Sequence, residues 1–116
     1  MDPIQKKIVD ALQPFGLPIS EILYEGKAPE FFSYNIALDF AADHGDNLPQ
    51  AYVASIQVHY VCPWEKLYFE MKKRIREALL SIGCTAPEVV DMSDKTDRIR
   101  HLIFECELEN EYDLEV

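Results

Sequence analysis

Two stretches of this chain alternate cleanly between apolar and polar positions. Two others carry apolar residues at three- and four-residue steps. From Gln50 to Val61, Tyr52, Ala54, Ile56, Val58 and Tyr60 fall on one side, with Ser55, Gln57 and His59 opposite. That period-two pattern, rich in β-branched and aromatic side chains, predicts a half-buried strand. Cys62-Pro63 follows, and Pro63 suits a first helical position because its missing N–H costs nothing there. Glu65 in the first turn favours the helix dipole, and Gly83 is a natural terminator. Between them Trp64, Leu67, Tyr68, Met71, Ile75, Ala78, Leu79 and Ile82 form one apolar face that can lie on a sheet.

The rest of the chain builds around this strand and helix. Asp2, Pro3 and Gln5 read as N-cap, first helical residue and capping-box partner of an N-terminal helix. Ile4, Ile8, Ala11, Leu12 and Phe15 make its buried face, and Pro14 with Gly16 ends it. A short strand is expected over Ile19 to Glu25. A clearer one runs from Phe31 to Ala41, with Phe32, Tyr34, Ile36, Leu38 and Phe40 on one face. The segment AADHGDNLPQ reads as a polar loop. A strand near Ala86 to Met92 and a turn at SDKTD precede the last strand, about Arg98 to Glu109. There Leu102, Phe104, Cys106 and Leu108 point inward and His101, Glu105, Glu107 and Glu109 outward. The order α-β-β-β-α-β-β with short connections predicts an α+β domain, two helices on a mainly antiparallel sheet of about five strands.

Length and charge narrow the possibilities. At 116 residues the chain reads as one domain, 1–116, ending in an acidic segment, 105–116. No apolar run approaches the roughly 20 residues that span a bilayer, and no signal-peptide core is visible at the N-terminus. Three unclustered cysteines, Cys62, Cys84 and Cys106, read as reduced intracellular thiols. A net charge of −10 argues against general nucleic-acid affinity. The distribution is uneven, since Lys66, Lys72, Lys73, Arg74 and Arg76 put five of 11 basic residues in the second helix. Acids occupy Glu105, Glu107, Glu109, Glu111, Asp113 and Glu115 near the C-terminus.

Catalytic chemistry is hard to place. There is no GxSxG elbow and no glycine-rich phosphate loop. Asp43, His44, Asp46 and Asn47 lack EF-hand spacing and read as a solvated turn. A zinc set drawn from His59, Cys62, Cys84 and His101 is implausible, because Cys62 and Cys84 bracket the predicted helix at opposite ends. An enzyme centred on Asp43, His44 and His59 has no activated nucleophile. No catalytic residue, cofactor or metal is therefore expected. Phe69, Lys73, Arg76 and Leu80, spaced four, three and four, form a second helix stripe that can meet another subunit. With Glu105, Glu107 and Glu109 they offer a head-to-tail contact between identical copies. The plainer readings are basic residues paired with helix carboxylates, and acids guarding an edge strand.

The order and spacing of weaker motifs over about a hundred residues carry a resemblance. An N-terminal helix leads to a strand ending Tyr24-Glu25-Gly26, then to the aromatic strand Phe32-Ser33-Tyr34-Asn35 and the acidic loop ending Gly45-Asp46-Asn47. Val58-His59-Tyr60 leads through Trp64 and Lys66 into a helix with Ile75, Leu79 and Gly83. An aspartate-rich turn, Asp91 to Asp97, precedes His101 and Phe104. In this the chain resembles the tail-completion proteins of long-tailed bacteriophages and prophages, the tail terminators and head–tail joining proteins. It departs from the family pattern at Met92-Ser93-Asp94 and Arg98. The resemblance implies a non-enzymatic minor tail protein of the virion, assembled in the host cytoplasm into a hexameric ring at the head-proximal end of the tail tube. Such a ring stops tube growth, contacts the tube protein and the head connector or stopper, and passes DNA through its lumen without specific binding or any membrane role. Asp43, His44, Asp46 and Asn47 would then contact a neighbour or the tube. The alternative from the residues alone is a small intracellular ligand-binding or regulatory domain.

Overall fold

The computed structural model describes residues 2–45 and 48–110, with backbone alone over 42–45 and 48–51. It holds α1 (Pro3–Leu12), a 3-10 turn (Gln13–Phe15), β1 (Ile19–Glu21), β2 (Phe31–Gly45), β3 (Leu48–Pro63), α2 (Phe69–Ser81), β4 (Glu88–Asp91) and β5 (Ile99–Glu109). This is the α+β order expected, α-β-β-β-α-β-β. The five strands lie in the order β1-β2-β3-β5-β4, all neighbours antiparallel except the short β1–β2 pair. Both helices cover one face. Ile4, Ile8 and Leu12 of α1 and Ile75 and Leu79 of α2 close over Phe32, Ile56, Val58, Tyr60, Leu102 and Phe104, all buried. The opposite face of the sheet is left open.

Local chemistry explains most element ends. The Asp2 carboxylate accepts from the N–H of Ile4 at 2.8 Å and of Gln5 at 3.4 Å, two of the donors a helix start leaves unpaired. Gln5 does not complete a capping box; its side-chain amide reaches Glu21 at 3.1 Å and ties α1 to β1. We expect Asp2→Ala to lower stability by about 1 kcal/mol, read as a urea-midpoint shift at constant slope. Gly83, at φ 97°, ends α2 in the left-handed region, as its position predicts.

Four expectations give way to pairing. β3 runs through Pro63, which lies opposite Ile99, and the Trp64 N–H still bonds to Arg98 O at 3.0 Å. Pro63 therefore ends a strand rather than starting a helix. Glu65 and Lys66 precede α2, which begins at Phe69, and Leu67 is 83% exposed instead of buried. Trp64 instead stacks under the Arg100 guanidinium, 3.7 Å from its ring centre. The strand expected over Ile19 to Glu25 stops at Glu21, because Ile22 turns to φ 66°. In β2 the register against β3 shifts between Ile36 and Leu38. That bulge moves Leu38 and Phe40 to the face of Ser55 and Val53, so Leu38 is 57% exposed. The expected polar loop over 41–50 is the end of the β2–β3 hairpin, with His44 opposite Pro49 and Gly45 opposite Leu48.

Candidate docking surfaces

α2 rests on the sheet through Ile75 and Leu79, so its outer side carries Phe69, Lys73, Arg76 and Leu80. All four are exposed, Phe69 at 64% and Leu80 at 49%. The expected pairing of second-helix cations with second-helix carboxylates is not found among the described residues. Among the described residues the ion pairs are Lys6–Asp10, Lys66–Glu30 and Arg98–Glu65. Lys72 stands 5.8 Å over the Phe69 ring centre and Arg74 4.6 Å over that of Phe15. Lys73 and Arg76 project with no side-chain partner among the described residues.

The acids lie on the other side of the molecule. In β5 inward Leu102, Phe104, Cys106 and Leu108 alternate with outward Glu105, Glu107 and Glu109. This strand is not an edge: it sits between β3 and β4. Its acids therefore do not guard a free edge; they stud an open sheet face. Glu111, Asp113 and Glu115 lie outside the described residues, as do Asp46 and Asn47. Asp43 and His44 fall in the β2 half of the hairpin end, remote from both surfaces by sheet position.

Register adds residues that sequence reasoning did not find. Glu88 of β4 lies directly opposite Glu105, and Ser55 of β3 opposite Glu107. Thr85 is pinned beside them, its N–H bonding to Glu107 O at 2.9 Å and its hydroxyl accepting from the Glu107 N–H at 2.9 Å. Ser55, Thr85, Ala86, Glu88, Glu105, Cys106 and Glu107 line a cavity of about 230 Å³. Like charges set opposite each other on a sheet repel. Only the β4–β5 register could have revealed Glu88, and the turn before β5 hides that register in the sequence.

Beside this cavity a chain of side chains crosses the three central strands. Asn35 Nδ2 donates to Gln57 Oε1 at 3.2 Å, and Gln57 Nε2 donates to Glu105 Oε1 at 3.2 Å. His59 Nε2 lies 3.3 Å from Asn35 Oδ1, and His59 Nδ1 lies 2.8 Å from His101 Nε2. Burial and the neighbouring ring hold His59 below the ordinary histidine value, against the pull of Glu105. Burial likewise depresses His101, opposed by Asp91. The zinc set is not assembled: His59 and Cys62 point to opposite faces of β3, and no group of three metal-ligating side chains forms among the described residues. No helix among the described residues is long and apolar enough to cross a membrane.

On the helix side of the sheet, Tyr60 and Lys66 both donate to the Glu30 carboxylate, which fastens the chain before β2 to the end of β3. The carboxylate's pull on the buried phenol drives the Tyr60 hydroxyl far above its ordinary value, with burial the larger cause. The contact braces the fold and is remote from the acidic cavity.

Compared with known protein families, no family model matches this chain. No curated protein matches it either.

Proposed function

We propose that the chain is a structural subunit that docks head to tail on copies of itself, as a tail-completion ring at the head-proximal end of a bacteriophage tail tube. One observation carries this reading: Lys73 and Arg76 of α2, without a side-chain partner among the described residues, and the acidic cavity of β5 lie on opposite faces of one thin two-layer domain. They cannot meet within a copy and complement each other between copies. A heterologous contact of this kind closes into a ring when the rotation per copy allows. Lys73 and Arg76 are the side chains that enter the cavity formed by Glu88, Glu105 and Glu107, and Phe69 and Leu80 supply the apolar margin. The hairpin end carrying Asp43 and His44 would be the contact to a neighbour or the tube in this reading.

Native mass spectrometry across salt concentration tests the docking. A closed ring is expected at low salt, dissociating as the Debye length falls from about 10 Å at 0.1 M to about 3 Å at 1 M. Rings unaffected by salt would remove the charged contact. A monomer that does not bind purified tail tubes would remove the tail-completion reading.

A further inference from the structure

The His59–His101 pair sits in the middle of the open sheet face, beside the acidic cavity, and its hydrogen bonds have a single direction. Asn35 turns its amide nitrogen to Gln57 Oε1, donating one N–H there, so its Oδ1 is the acceptor facing His59 Nε2. His59 therefore carries its proton on Nε2, and its bare Nδ1 accepts from His101 Nε2–H across 2.8 Å. The neutral relay runs from His101 through His59, Asn35 and Gln57 to the Glu105 carboxylate. Every link is donor to acceptor.

Among the described residues one basic atom of the pair remains open, His101 Nδ1. A proton arriving there makes an imidazolium whose Nε2–H donates more strongly to His59, so the chain survives its first protonation. A second proton has only His59 Nδ1 to occupy. It would set two N–H groups against each other at the distance of the present bond. The pair is thus built to take one proton and to refuse the next.

The charged groups around it are carboxylates, Glu105 on β5 and Glu88 and Asp91 on β4. β2 and β3 supply only uncharged Ser33, Asn35 and Gln57.

We propose that this pair is a proton-gated element of the docking face: a single shared proton places a positive charge beside the cavity that receives the basic helix, and loosens docking as pH falls. The gate rests on the self-docking reading above; the shared proton does not. One unit charge about 10 Å from a cation, at an effective dielectric near 20, changes the association constant on the order of tenfold. The same groups set a stability trend. Both histidines are depressed in the folded chain, so the unfolded chain takes up protons first. Stability is fully present above the ordinary value of about 6.5 and declines as pH falls below it.

Long-range proton–nitrogen NMR of the imidazoles, recorded on dilute monomer, reads the shared proton directly. Expected are neutral rings protonated at Nε2 above about pH 7, then one protonation per pair below the ordinary histidine value. Two rings becoming cationic together at that ordinary value would overturn the proposal. Sedimentation from about pH 7.5 to about pH 5.5 reads the gate. Association of the parent should weaken as the pair takes its proton, by about tenfold at the pH where the NMR titration shows it singly protonated, and that of His59→Gln/His101→Gln less than about twofold, since glutamine keeps a donor and an acceptor but no titration in this range. Equal pH dependence in both proteins overturns the gate. A protein monomeric at every pH defeats self-docking and the gate together, while the NMR titration still decides the shared proton.

Discussion

Phe69→Asp combined with Leu80→Asp abolishes ring formation and leaves the circular dichroism spectrum unchanged. Both side chains lie largely in solvent, at 64% and 49% exposure, so their loss opens no cavity. Aspartate in the first turn of α2 suits the helix dipole, and at the last turn it costs about 0.3–1 kcal/mol. The fold therefore survives. The docking contact does not, because two carboxylates now face Glu88, Glu105 and Glu107. A sharper form of the test uses charge exchange. Lys73→Glu/Arg76→Glu and Glu107→Lys/Glu109→Lys should each be monomeric alone. Mixed in equal amounts they should assemble again, alternating around a ring with an even number of subunits. Rings from either variant alone, or none from the mixture, would place the contact elsewhere.

Phe104→Ala has the largest expected effect on the fold itself. Phe104 is fully buried on β5, opposite Val58 of β3 and Val89 of β4, beneath the helices. Removing a core aromatic ring typically costs about 3–5 kcal/mol, since the surroundings close only part of the void. Domains of this size have about 5–15 kcal/mol in total. The variant should show a urea midpoint lowered by about half and a melting temperature more than about 10 °C below the parent. A loss under about 1 kcal/mol would mean that the two-layer core is not the one described.

What the sequence made legible is the alternation inside unbroken strands. Tyr60, Val58 and Ile56 inward, with His59 and Gln57 outward, follow from period two alone, as does the whole of β5. The exposure of Phe69, Lys73, Arg76 and Leu80 was equally readable from helical spacing. The misplacements share one cause, which is that local preference lost to pairing with distant residues. Pro63 favours a helix start, yet Ile99 holds it in a strand. Leu38 belongs to an apolar face until the bulge after Ile36 turns it outward. The acidic row became a cavity only through Glu88, and the two imidazoles met only through the β3–β5 register, in which His59 lies opposite Ile103 and His101 opposite Val61. Diagonal neighbours of that kind leave no trace in either strand read alone.

The interior place of β5 has a consequence for how the chain reaches its fold. β2 and β3 are joined end to end and can zip as a local hairpin. β4, by contrast, leaves the ribosome before β5, the only strand it pairs with among the described residues. Once β5 emerges the two can close as a second local hairpin, with Asp91 opposite Leu102. Joining the two hairpins requires β5 to cross back to β3, where Pro63 meets Ile99, so the slow event is the docking of β5 on β3. Until then the free edge of β3 lies bare, and a nascent copy is at its most vulnerable to pairing with the wrong chain.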